Sequence, residues 1–100
     1  MELDAIRNNI VMPAIRRANE TMPHFNLENV DATTVFYGLP GAVLDSLNLV
    51  SFVFIIEDEV ARQARKTIKI TTEDVLETQT PPFANIENLC RFLQDKMAQE

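Results

Sequence analysis

Ser46 and Cys90 are the candidate nucleophiles of this chain, with the single histidine, His24, as the available imidazole base. A serine hydrolase built on Ser46 and His24 is poorly supported. No Gly-x-Ser-x-Gly turn surrounds the serine, and a helical chain of 100 residues has little room for the pocket a triad requires. Cys90 sits at a core-side position of the last predicted helix, where a small buried thiol is the usual explanation. No His, Cys, Asp or Glu cluster has metal-ligand spacing, so no metal is expected. There remains Ser46 at a predicted helix start. A hydroxyl there faces unpaired backbone N–H groups and the positive end of the helix dipole, so a phosphate attached to it is stabilised. The plain alternative is that Ser46 is only a capping residue.

The elements that must position Ser46 read as helices. Leu3, Ile6 and Ile10, continued by Ala14 and Ala18, make one stripe. It predicts a helix over about 3–20, kinked or broken near Pro13, because an interior proline removes one hydrogen bond and costs about 3 kcal/mol. Residues 21–44 read as a long ordered loop, punctuated by Thr33, Thr34, Gly38, Pro40 and Gly41 and anchored by Val30, Val35, Phe36, Tyr37 and Leu39. Asp45 and Ser46 are both good caps for a second helix running to about Arg65. Ile68-Lys69-Ile70 alternates like an extended link. Thr71 or Thr72 caps a short third helix with Glu73 and Asp74 in its first turn, and Pro81-Pro82 ends that segment. Asn85 caps the last helix, striped by Ile86, Leu89, Leu93 and Met97, with Cys90 and Phe92 beside the stripe. The expected fold is all-α: one domain over 1–100, an irregular four-helix bundle with a long first loop and a short third helix.

The second helix is apolar nearly all round. At 100° per residue, Leu49, Val50, Val53, Ile56 and Val60 share a broad face that should be the core side. Leu47, Phe54 and Ile55 lie largely opposite, beside Ser51, Asp58 and Arg62. With three other helices, a bundle leaves that second side at least partly exposed. An apolar patch rimmed by acids suggests docking; the alternative is that the long loop covers it.

The charge pattern bears on partners. Net charge is −6, from fifteen acids and nine bases. Residues 21–60 hold six acids (Glu28, Asp31, Asp45, Glu57, Asp58, Glu59) and no Lys or Arg, after which Arg62, Arg65, Lys66 and Lys69 follow with no acid among them. Nucleic acid, which needs a basic face, is an unexpected partner; a basic protein surface is a better match. The bland reading is a solvated face kept soluble by like charge. One cysteine excludes an internal disulfide framework. The N-terminus lacks the pattern of a signal peptide, and the longest apolar run, Phe52 to Ile56, is too short to span a bilayer. A cytoplasmic monomer is the expectation.

The run Leu44-Asp45-Ser46-Leu47, opening an apolar helix that turns acidic at Glu57-Asp58-Glu59, resembles the acyl carrier protein family. The likeness extends over most of the chain, from first helix and long loop to short third helix and last helix. The resemblance implies that Ser46 receives 4′-phosphopantetheine from coenzyme A through a phosphopantetheinyl transferase, with Asp45 the acid preceding the attachment serine. It implies that Leu47 packs beside the arm and meets partners, that Phe54 fills the exposed apolar position usually held by methionine, and that Glu57, Asp58 and Glu59 meet basic patches. Ile55 joins this docking face from the helical reading above. Tyr37, Gly38 and Leu39 fall where the family's loop turns before the serine. Such a protein performs no catalysis; it presents thioesters to acyl-activating, acyltransferase or synthase enzymes. Some apolar residues of the second helix, with Ile70 and Val75, would form either a sheltering pocket or a plain packed core.

The departures point to a specialised carrier. Family members of fatty acid synthesis usually carry acids where this chain has Asn48 and Ser51, and the helix continues into a basic stretch, Ala61 to Lys66. Pro81-Pro82-Phe83 is similar to stand-alone carriers of dedicated adenylating enzymes, which leaves an aminoacyl or peptidyl cargo open. An unmodified helical adaptor that binds through Leu47, Phe54 and Ile55 is the rival from another class.

Overall fold

The computed structural model describes residues 1–22, 27 and 30–99; His24 and Glu28 lie outside the described residues. Four helices make up the regular structure among them. The first, α1, spans three consecutive stretches: α-helical Leu3–Ile6, π-helical Arg7–Val11 and α-helical Met12–Thr21. The chain therefore does not break at Pro13. It widens just before it, with the Met12 N–H donating to the Arg7 carbonyl five residues back. Two causes coincide. Pro13 has no N–H to give, and its ring crowds the preceding turn of a regular helix. The stripe Ile6, Ile10, Ala14, Ala18 is also spaced by four, and drifts by about 40° per step around a helix of 3.6 residues per turn. One wider turn absorbs the drift, and all four side chains are fully buried.

The second helix, α2, is Ser46–Ala64. Asp45 caps it, its carboxylate accepting from the Asn48 N–H at 2.8 Å. Arg65 closes it in a left-handed conformation, φ 55°, so the basic residues after Ala64 leave the helix rather than extend it. Ile68 and Ile70 turn inward and Lys69 outward, as alternation predicts. The short α3, Thr72–Val75, carries a capping box between Thr71 and Asp74. It ends at Val75, well before Pro81-Pro82, and the intervening residues hold a turn at Leu76 and bends over 78–80. Asn85 caps α4, Ile86–Ala98, whose buried stripe is Ile86, Leu89, Cys90, Leu93 and Met97.

The core side of α2 is rotated from the sequence expectation. Leu49, Phe52, Ile56, Glu59 and Val60 are buried, whereas Val50 is 52% exposed and Ile55 is half-buried against the core. The reason is aromatic. Phe52 sits between Phe36 of the loop, stacked at 5.7 Å, and Phe83, edge-on at 6.3 Å. That cluster turns the helix toward Phe52 and leaves Val50 outside.

Candidate functional site

The site is assembled by the loop before α2. The Phe36 and Tyr37 N–H groups both donate to the Phe83 carbonyl, at 2.9 and 3.0 Å. Leu39-Pro40-Gly41-Ala42 then makes a tight turn, with the Ala42 N–H on the Leu39 carbonyl at 3.2 Å and Gly41 at φ +85°. Proline second and a positive-φ glycine third are the residues a type II turn requires. The chain returns so that the Val43 and Leu44 N–H groups reach the Val35 and Phe36 carbonyls, each at 3.0 Å. A compact loop closed in this way sets Tyr37 beside the start of α2. There the Tyr37 hydroxyl lies 3.2 Å from the Ser46 hydroxyl.

Ser46 is exposed, and it begins a helix of 19 residues. The N–H groups of a first turn have no intrahelical acceptor; here Asp45 satisfies that of Asn48, and the positive end of the dipole faces the serine side. Leu47 projects beside it, 78% exposed, and Phe54 follows two turns on at 64%. Val50 lies between them, so the exposed apolar strip is Leu47, Val50 and Phe54, with Leu76 of the segment after α3 also exposed. Sequence spacing puts Val50 on the core side and gives Leu76 no helical stripe, so neither reads from the sequence as an exposed apolar residue.

This strip borders a groove of about 450 Å³ between α2, the 67–70 link and α3. Tyr37, Val50, Val53, Phe54, Ile70 and Val75 are among its lining residues, and Glu57 and Lys69 are its charged ones. Its size lies in the range of small-molecule clefts. Ile70 and Val75, for which the sequence leaves a sheltering pocket and a plain packed core both open, are among the residues that border it.

The acids at the far end of α2 are engaged within the fold. Glu57 accepts from the Ile70 N–H at 2.8 Å. Asp58 pairs with Arg17 at 2.8 Å and with Arg62 at 3.0 Å. Glu59, expected on the docking face, is instead 4% exposed and pairs with Arg17 at 2.9 Å. A carboxylate at that helical position faces α1, where Arg17 meets it; the two acids together hold the Arg17 guanidinium above its ordinary value. Asp58 alone of that pair keeps a substantially exposed side chain.

The other candidate nucleophile packs in the buried stripe of α4. Cys90 is buried, and burial pushes its thiol up to about 11. Among the described residues, no group of three or more His, Cys, Asp or Glu is placed to hold a metal ion, and no helix is long and apolar enough to cross a membrane. No family model, curated protein or solved structure matches this chain.

Proposed function

We propose that this chain is a carrier protein whose Ser46 is the attachment point for 4′-phosphopantetheine. The observation that carries the reading is the setting of Ser46: an exposed hydroxyl at the first position of a long helix, next to exposed Leu47 and linked through Tyr37 to an apolar groove. The residues present fit the group. A phosphate ester on Ser46 meets the positive end of α2, and nothing buries the hydroxyl away from an incoming enzyme. When bound, the group supplies a flexible arm ending in a thiol on which acyl intermediates ride as thioesters.

The chain's own contribution is positional. Leu47, Val50 and Phe54 offer a small apolar contact close to Ser46, and tethering raises the effective concentration of cargo at a partner's active site. With Glu59 buried against Arg17, and Asp58 paired with Arg17 and Arg62, the docking face is more apolar and less acidic than the sequence suggests. Such a face suits brief contacts with several enzymes, because it is too small for a lasting interface. The groove along α2 offers apolar cover to part of an acyl group. Neighbouring cytoplasmic acyl-activating, acyltransferase or synthase enzymes are the partners on this reading.

Incubation with coenzyme A and a phosphopantetheinyl transferase tests it. The expected result is a mass increase of one phosphopantetheinyl group, lost in Ser46→Ala. No increase with several transferases overturns it. The strip Leu47, Val50 and Phe54 also favours a second reading, an unmodified adaptor, in which Ser46→Ala leaves partner binding intact while Phe54→Asp abolishes it.

A further inference from the structure

Among the described residues, Tyr37 supplies the hydrogen-bond partner of the Ser46 side chain, at 3.2 Å between the two hydroxyls. The neighbouring carboxylate is occupied otherwise: Asp45 accepts from the Asn48 N–H. Tyr37 is also held from behind. Its own N–H and that of Phe36 converge on the Phe83 carbonyl, and the Phe36 ring is stacked on Phe52 of the same helix that Ser46 begins. The backbone that carries the phenol is therefore held relative to α2, and Tyr37 is among the residues that line the groove between α2 and α3. One side chain thus touches both the modification serine and the apolar groove.

We propose that Tyr37 is a positioning residue for Ser46 and, once the serine is modified, for the phosphodiester that joins it to the arm. The inference rests on the carrier reading above. An exposed serine rotates among three staggered positions; a hydrogen bond to the half-buried Tyr37 phenol selects one and aims the oxygen. In the transfer step Ser46 Oγ forms a bond to the phosphorus of coenzyme A that bears pantetheine. The bond from that phosphorus to the bridging oxygen breaks, 3′,5′-ADP leaves with the electron pair, and the serine proton passes to a base of the transferase. Tyr37 exchanges no proton. Before the step its hydroxyl either donates to Ser46 or accepts from it. Afterwards the serine oxygen carries no hydrogen, so Tyr37 donates, and the acceptor is an ionised phosphodiester. Charge-assisted bonds of that kind are stronger than the neutral one replaced. The start of the arm is thereby held on the side of α2 where the groove opens.

Tyr37→Phe removes the hydroxyl and keeps the ring in the groove. With coenzyme A and a transferase that modifies the wild type, release of 3′,5′-ADP and intact mass give the rate. The expected change is a fall in kcat of about 3- to 10-fold, the scale of one hydrogen bond, with KM for the carrier little altered. A purely structural role in the loop would move KM instead. In the modified wild-type protein, nuclear Overhauser contacts are expected between the Tyr37 ring protons and the first methylene of the arm, and the 31P resonance is expected to shift in Tyr37→Phe. Equal kcat in both proteins, or no contact between ring and arm, overturns the role of Tyr37 while leaving the carrier reading intact. Should Tyr37→Phe fail to fold, the wild-type contacts decide. A wild type that accepts no arm from any transferase overturns the carrier reading and this inference with it.

Discussion

Arg17 of α1 donates to Glu59 of α2 at 2.9 Å, and the same nitrogen reaches Asp58 at 2.8 Å. Glu59 is buried and Arg17 a third exposed, so the pair fastens the two longest helices at the end of α2 remote from Ser46. Removing one partner of a buried pair leaves the other charge without compensation. Arg17→Ala is expected to cost about 2–4 kcal/mol, below the full range for buried pairs because the guanidinium keeps some water. Glu59→Gln in the same background should recover part of the loss, since a neutral amide is less costly to bury. Urea unfolding of the two single variants and the double variant measures this, and full additivity would count against the pairing.

The long-range character of that pair explains which features the sequence could reveal. The stripe of α1, the caps Asp45 and Asn85, the α2 and α4 spans and the Ile68/Ile70 alternation follow from local spacing, and each is found. A helix apolar all round does not fix its own rotation, however. Phe36 and Phe83, distant in sequence, decide that Phe52 is inside and Val50 outside. The same holds for Glu59: as part of an acidic run it reads as surface, and only the arrival of Arg17 makes it interior. The place of Ser46 at a helix start is legible because its cap, Asp45, adjoins it in sequence. Its hydroxyl partner Tyr37, nine residues back, depended on a loop closure that local pattern does not encode.

The exposed strip on α2 predicts a separation of binding from stability. Leu47→Asp and Phe54→Asp should each leave the unfolding free energy within about 0.5 kcal/mol of wild type, as substitutions at exposed positions do. Transfer of the arm to Ser46 should nevertheless slow at limiting carrier concentration, through KM. Val50→Asp is expected to act alike although helical spacing puts Val50 on the core side, because half of it is exposed. Calorimetry and steady-state kinetics on the three variants check this; a large loss of stability in Val50→Asp would contradict the observed rotation of α2.

Asp74 ties α3 to α4 and carries a pH dependence. Its carboxylate accepts from the Thr71 N–H at 2.9 Å and pairs with Lys96 at 2.9 Å. Partial burial pushes its carboxyl up, but the Thr71 N–H, the Lys96 ammonium and the Thr71 hydroxyl together hold it below its ordinary value. A carboxylate depressed in the folded state stabilises it at pH above the unfolded value of about 4, and the contribution is lost as pH falls through the lower folded value. Asp74→Ala should therefore cost about 1 kcal/mol near neutrality, the scale of a lost cap and a partly exposed ion pair. The gap between variant and wild type should close in acid. Denaturation at a series of pH values from neutral to strongly acidic measures it, and a gap that widens in acid would contradict the assigned direction.

Cys90 reports on opening of the core. Its side chain packs in the α4 stripe, and with its thiol pushed up to about 11 by burial, only about one part in a thousand of the folded protein's thiol is thiolate at pH 8. Alkylation of the native protein is thus expected to be slow and governed by exposure rather than by the reagent. Cys90 is buried in the native fold, so where opening of the bundle controls access, the labelling rate should follow the population of opened molecules and rise steeply through the urea midpoint. Arg17→Ala, which loosens α1 from α2, should accelerate labelling in proportion to its loss of stability. Mass spectrometry of alkylated protein over time supplies the rates. Fast labelling in water, insensitive to Arg17→Ala, would mean that Cys90 is reached by local fraying of α4, and would place that helix among the least protected parts of the fold.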